Sequence, residues 1–305
     1  MRKDLLAYLA LSAICLIWGT TYLALRVAVV GFPPFLFVVI RQIIAGGLLV
    51  AIMLTVGKSK LPAPGEILKQ AIGGFFMLSM GNGLVAYAEV TIPSGIAAII
   101  CSMMPMWVIL INLTINRDER PTLPIMIGAA LGFTGIILIF LQDLDALSNT
   151  AYSWGIFLTF LATISWASAS IWLKKRKSSS DPFMNAGLQM FFAGVWLIPF
   201  TLAFDDLTNV TWSSNTIYAM VYLIAVGSII AYGCYTYALK KLPMTIVSLY
   251  AYVNPLVAVV LGWLILDEKL NARIGIAFLL TIAGIYLVNR GYMQRTLFKP
   301  QLSRQ

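Results

Sequence analysis

An all-α membrane protein, with ten spans arranged as two inverted five-helix repeats, is the fold that three observations predict: composition, internal repetition and alternating basic loops. The chain's 305 residues are 60% apolar and only 11% charged, with a mean hydropathy of +0.88. A soluble globular domain carries about a quarter charged residues. Trp18 recurs as Trp166, Arg26 as Lys174, Pro34-Phe35 as Pro182-Phe183 and Ala45-Gly46 as Ala193-Gly194, all at a spacing of 148 residues. The spacing then drifts by a residue or two: Tyr87-Ala88 returns as Tyr237-Ala238, Pro93 as Pro243, Pro105 as Pro255, and Gly135-Ile136 as Gly284-Ile285. Short loop insertions produce such drift. A unit of five spans starts on one side of the bilayer and ends on the other, so its tandem copy sits upside down, the architecture of alternating-access carriers.

Each span follows from an uncharged run near 20 residues, the length that crosses roughly 30 Å of hydrocarbon. The predicted spans of the first copy are Leu5 to Leu25, Phe32 to Val56, Gln70 to Val90, Gly95 to Ile115 and Leu123 to Leu141. Those of the second are Tyr152 to Leu173, Pro182 to Phe204, Ile217 to Leu239, Met244 to Leu266 and Ile274 to Asn289. The first run follows Arg2 and Lys3 as a leader's would, but it reaches Arg26 with no cleavage pattern after a short core, so it is read as helix 1. The domains expected are residues 1–145, 146–290 and a polar, basic, mobile cytoplasmic tail, 291–305.

The basic residues support this count. Cytoplasmic ends of spans collect Lys and Arg. With both termini inside, the cytoplasmic set comprises Arg2 and Lys3; Lys58, Lys60 and Lys69; Arg117 and Arg120; Lys174, Lys175, Arg176 and Lys177; Lys240 and Lys241; and Arg290, Arg295, Lys299 and Arg304. Only Arg26, Lys269 and Arg273 fall outside, and Arg41 lies within a span. Asp143, Asp145, Asp205 and Asp206 sit on outer loops. The net charge of +9 is thus a matter of topology, and no nucleic-acid partner is expected. Cys15, Cys101 and Cys234 fall inside spans without metal or disulfide spacing, as packing residues.

Four stretches carry a resemblance: IWGTTYLALRVAV, PPFLFVVIRQIIAGGLL, AYAEVTIPSGIAAIICSMMPMWVIL and RDERPTLPIMIGAALGFTGIILI. From Leu6 to Asn289 the chain resembles the EamA-type members of the drug/metabolite transporter superfamily, ten-helix carriers that include bacterial amino-acid and metabolite exporters. The resemblance implies a multi-pass protein of the bacterial inner membrane. It also implies a central cavity between helices 1 to 4 and 6 to 9, with helices 5 and 10 as packing elements. It leaves the cargo open, since similar signatures accompany different cargoes.

The residues point the same way. Pro105 and Pro255 occupy equivalent mid-span positions, each removing a backbone donor and freeing the carbonyls of Cys101 and Ala251. They are candidate gates; the alternative is a plain kink relieved by a neighbouring Ser or by water. On spans 5 and 10, Gly128, Gly132 and Gly135 and the Ala283-Gly284 pair suit close helix packing, or else a homodimer contact. Arg41 is a charge inside span 2, where it holds a cargo carboxylate or else snorkels or pairs structurally; its counterpart is Gln189. Glu89 at the outer end of span 3 is matched to Arg26. Trp18 and Tyr22 share a face of span 1, and Trp166 repeats it on span 6. Asn82 aligns with Tyr232, while Ser102, Trp107, Tyr252 and Asn254 flank the prolines. These groups line a substrate pocket or pack helices. Tyr8, Tyr152, Trp154, Trp212 and Tyr218, at span ends, read as interface anchors.

Absences narrow the function. With no His and no mid-span carboxylate, a buried proton relay has only Glu89 as a near candidate, and no nucleotide-binding GxxxxGK[ST] run is present. No cofactor is expected. Export of small carboxylate-bearing metabolites, amino acids foremost, is the leading reading. Export of lipophilic cations is the alternative, disfavoured by the sign of Arg41. A membrane-embedded enzyme comes third, lacking an imidazole base.

Overall fold

In the computed structural model the described residues are 2–115, 122–140, 149–176, 178–208, 210–242, 244–247, 250–267 and 271–298. Their regular structure is helical, with no strand among them. This is what an apolar solvent demands, because a helix satisfies its own backbone groups. In chain order the helices are α1 (Arg2–Val29), α2 (Pro34–Thr55), α3 (Pro64–Ala88), α4 (Ser94–Ile115), α5 (Leu123–Phe140), α6 (Thr150–Lys175), α7 (Pro182–Phe204), α8 (Ser214–Lys241), α9 (Tyr250–Leu266, after a short turn of helix at Met244–Val247) and α10 (Ala272–Phe298). Seven of them, α1 to α4 and α6 to α8, are long and apolar enough to cross a membrane. The apolar stretches Leu123–Gly135, Val253–Leu266 and Ala272–Val288, in α5, α9 and α10, are shorter.

Local chemistry sets the starts. Asp181 Oδ1 accepts from the N–H groups of Phe183 (2.8 Å) and Met184 (3.4 Å) ahead of α7. Asn149 does the same for α6, and Ser213 accepts from Thr216 N–H (3.1 Å) at α8. Proline stands at the first turn of α2, α3 and α7, where its missing N–H has no partner to lose. The carboxylate of Asp205, just past α7, accepts from the N–H groups of Leu36 (2.7 Å) and Phe35 (3.3 Å) and so caps α2 from the other half of the chain. Burial pushes the Asp205 carboxyl up, and those two N–H groups pull it back.

Three features depart from or add to the sequence reading. The helix expected to end at Asn289 runs on to Phe298, so most of the expected mobile tail is α10. Between them lies only Gly291 as a weak breaker, and a proline comes only at Pro300. Span 4 is not one kinked helix but two pieces, Ser94–Cys101 and Met104–Ile115, joined by a turn at Ser102 and Met103. Pro105 is the second residue of the new piece, where proline begins a helix rather than bending one. Pro255 does lie inside the continuous helix α9. Thirdly, α3 and α8 each contain a π-helical segment, Phe75–Gly83 and Leu223–Ile230, which begin 148 residues apart.

Packing pairs equivalent helices. α2 runs along α7 and α5 along α10; α1 packs on α8 and α9, as α6 packs on α3 and α4. The repeated Ala-Gly pair makes the first of these possible. A Cβ on Gly46 would lie 2.2 Å from the amide nitrogen of Phe191, and one on Gly194 2.5 Å from Ile43 Cγ1. The second crossing is equally reciprocal: a Cβ on Gly128 would lie 2.5 Å from the carbonyl oxygen of Gly284, and the reverse. These glycines are spent within the chain. The charged positions Arg117, Arg120, Asp143, Asp145, Lys177, Lys269, Lys299 and Arg304, and the side chains of Arg2, Lys3 and Arg295, lie outside the described residues.

Candidate substrate cavity

A cavity of about 100 Å³ lies at the centre of the bundle, with lining from α1 to α4 and α6 to α9 and none from α5 or α10. Its wall is aromatic on one side. Trp18 meets Trp166 edge to face at 5.7 Å and Tyr250 at 4.9 Å, while Trp166 lies 6.2 Å from Tyr232. Tyr22 and Asn82 also face the cavity. Such rings prefer edge contacts because their faces are electron-rich and their rims are not.

The π-helical segment of α8 supplies the polar frame. It turns the Gly227 carbonyl to Trp18 Nε1 (3.2 Å) and the Ser228 hydroxyl to Arg41 Nε (2.9 Å). Wide turns of this kind often mark functional positions in helices. Arg41 is 6% exposed and lines the cavity, so it does not snorkel outward. Ser228 is its one hydrogen-bond partner among the described residues. Beside it Gln42, 1% exposed, leaves its Oε1 without a partner in the same cavity. A buried donor array and a buried acceptor therefore face one small space.

The remaining expected residues divide. Asn254 lines the cavity, and with its amide turned so that Nδ2 faces the carbonyls of Tyr250 and Cys15 it donates to both (3.0 Å each), tying α9 to α1 beside Pro255. Ser102 and Trp107 are elsewhere. Ser102 Oγ donates to the Ile99 carbonyl (2.6 Å), and Trp107 packs edge to face against Phe160 (5.1 Å) and Phe133 (5.8 Å). Gln189 lies deeper toward the basic end and accepts from Tyr232 OH. The side chain of Tyr252 is outside the described set. Arg26 donates to the main-chain carbonyl oxygen of Glu89, which links α1 to α3. Sequence reasoning missed Gln42, Thr163, Gly227 and Ser228. Gln42 had one signal, an uncharged polar residue beside Arg41 in an apolar run.

A second cavity of about 330 Å³ sits at the basic end of the bundle, lined by Lys69, Lys174 and Lys240 and by the amides Gln70, Asn185 and Gln189. Lys174 Nζ donates to the carbonyls of Leu239 and Leu242 (3.0 Å for the latter), and Lys240 Nζ to that of Ser180 (3.1 Å).

A helical membrane bundle holding a small polar and aromatic chamber at its centre, with a basic vestibule at one end, belongs to the class of solute carriers. The sequence matches the EamA-like transporter family twice, over residues 5–141 and 153–290, and the chain belongs to that family. It is 33% identical to the uncharacterized inner membrane transporter YedA of Escherichia coli K12, over 95% of this chain and 92% of that one. Protein PecM of Dickeya dadantii is 28% identical over 93% of both chains, and the Bacillus subtilis transporter YoaV 23% identical over 92% and 95%. A solved crystal structure at 20% identity superposes with a TM-score of 0.65 over 96% of this chain and 99% of its own, which shows a shared fold. The protein is a multi-pass membrane transporter and not an enzyme.

Proposed function

We propose that this protein exports small zwitterionic metabolites, amino acids foremost, from the cytoplasm by alternating access. In this reading all ten helices span the bacterial inner membrane, residues 1–145 and 146–290 form inverted repeats, and both termini are cytoplasmic. The observation that carries the substrate class is Arg41, a guanidinium buried in the central cavity with one hydroxyl partner. A cargo carboxylate supplies the missing counter-charge through a bidentate pair. The unpartnered Gln42 Oε1 and the faces of Trp18 and Trp166 suit the ammonium of the same molecule.

Lipophilic cations are a second reading, favoured by the aromatic wall alone. They leave Arg41 uncompensated. Binding of labelled amino acids to purified protein, against competition by the same amino acids, their amides and quaternary amines, decides between them. Competition by the free amino acid only is the expected result, and it should vanish in Arg41→Gln. Equal competition by quaternary amines returns the function to cation export.

A further inference from the structure

The linings of the two cavities adjoin along three helices. On α3 the lining changes hands between Met77, which faces the vestibule, and Leu78, which faces the central chamber. On α7 the change falls between Gln189 and Met190, and on α8 between Tyr232 and Tyr235. At that level the side chains are joined. Tyr232 OH donates to Gln189 Oε1, Gln189 Nε2 donates to Gln70 Oε1 (2.5 Å), and Gln70 Nε2 donates to Glu66 Oε1 (2.5 Å). Tyr235 OH and Ser170 Oγ share a hydrogen bond at 3.0 Å beside them. Gln70, Gln189, Tyr232 and Tyr235 are at most 4% exposed.

We infer that this chain, Tyr232–Gln189–Gln70, is the latch that closes the central chamber to the basic vestibule, and that its bonds break and re-form in each transport cycle. Three features carry this. The residues fill the boundary between two cavities. They come from three helices, α3, α7 and α8, so a displacement of α3 from α7 and α8 separates them. Finally, amides and a phenol can exchange these partners for water when the layer parts, which Leu in their place could not do. A permanent plug has no need of polar groups; they make the closed layer specific and its opening reversible. The inference rests on the carrier reading but not on the identity of the cargo.

Cys101 provides the probe, being a native thiol on the chamber wall and half-buried. In the full chain with Cys15 and Cys234 replaced by Ser, a negatively charged methanethiosulfonate is applied to vesicles exposing the basic end, and modification of Cys101 is timed. Gln189→Leu removes two buried bonds, leaving the Gln70 side-chain carbonyl unpaired and Tyr232 OH with only the weak acceptor Met77 Sδ (3.8 Å) in the closed state. It should speed labelling by about tenfold or more, as should Gln70→Leu, which removes the bonds to Gln189 and Glu66, while Tyr232→Phe, which removes the one bond to Gln189, should speed it by about fivefold. Tyr232→Phe keeps the ring that packs on Trp166 and Tyr235, so it reports the bond even if the amide variants fold poorly. Unchanged rates in all folded variants, or a parent labelled as fast as the variants, overturn the latch. Because no substrate enters the assay, its outcome is independent of the Arg41 reading.

Discussion

Arg41 and Gln42 are consecutive, yet both reach one cavity, and the pair defines what that cavity can hold. The guanidinium offers several donors in a plane, of which Nε is taken by Ser228. Lys in its place keeps the charge but loses the fork, so Arg41→Lys should weaken carboxylate binding by roughly 10-fold. Arg41→Gln should weaken it up to roughly 100-fold, as a charge-assisted pair worth about 1.5–3 kcal/mol implies. Titration calorimetry on the two variants checks this, and affinities within twofold of the native protein make Arg41 structural. The aromatic wall was readable from the repeat, because Trp18 and Trp166 are mid-span and equivalent. Trp107 was not. Whether a mid-span Trp faces a cavity or packs against Phe133 and Phe160 depends on where its helix restarts, and that turn at Ser102 has no apolar-pattern signature.

Helices as units were legible because hydropathy alone decides what can enter hydrocarbon, and the span expected from Pro182 to Phe204 is α7 to the residue. The π-helical segments were hidden, since Phe75–Gly83 and Leu223–Ile230 look like any apolar run. Each residue added by a wide turn rotates the following face by about 100°, so the face that lines the cavity could not be projected from one end. At the crossing of α2 and α7 the glycines are unequal neighbours. A Cβ on Gly46 collides with the Phe191 backbone, whereas one on Gly47 meets nothing closer than Phe191 Cδ2 at 4.0 Å. Gly46→Ala should therefore cost about 1–3 kcal/mol, while Gly47→Ala should be neutral or stabilise by roughly 0.5 kcal/mol. Thermal unfolding in detergent compares them, and equal melting temperatures refute the close crossing. The prolines differ too. Pro255→Ala lets residue 255 donate to the Ala251 carbonyl within a continuous helix and should slow transport several-fold. Pro105→Ala acts at a helix start and should change turnover by less than twofold. If both slow transport alike, the helix break before Pro105 is not what sets their roles apart.

At the scale of the molecule, the repeat explains why equivalent helices pack in reciprocal pairs and why the cavity lies where the halves meet. What diverged between the halves is the chemistry. Arg41 faces the chamber on α2, while its counterpart Gln189 on α7 holds the layer below it. One framework thus yields a charged chamber wall and an uncharged hydrogen-bonded layer beside it. The arrangement also makes a firm claim about orientation. Lys174, Lys175, Arg176, Lys240 and Lys241 gather at one end, with Lys69 beside the same vestibule, and Asp205 and Asp206 stand at the other. Basic residues resist translocation far more than acidic ones do, so the vestibule end should be cytoplasmic. Ser179 and Leu207 are exposed on the loops at the two ends of α7. In a background with the native cysteines replaced, Ser179→Cys should react with an impermeant maleimide only in inside-out vesicles, and Leu207→Cys only in intact cells. Reaction of both from the same side breaks the span count through α7. The reverse pattern keeps the fold but turns the latch outward, and the vestibule would then be the exit of the export path rather than its entrance.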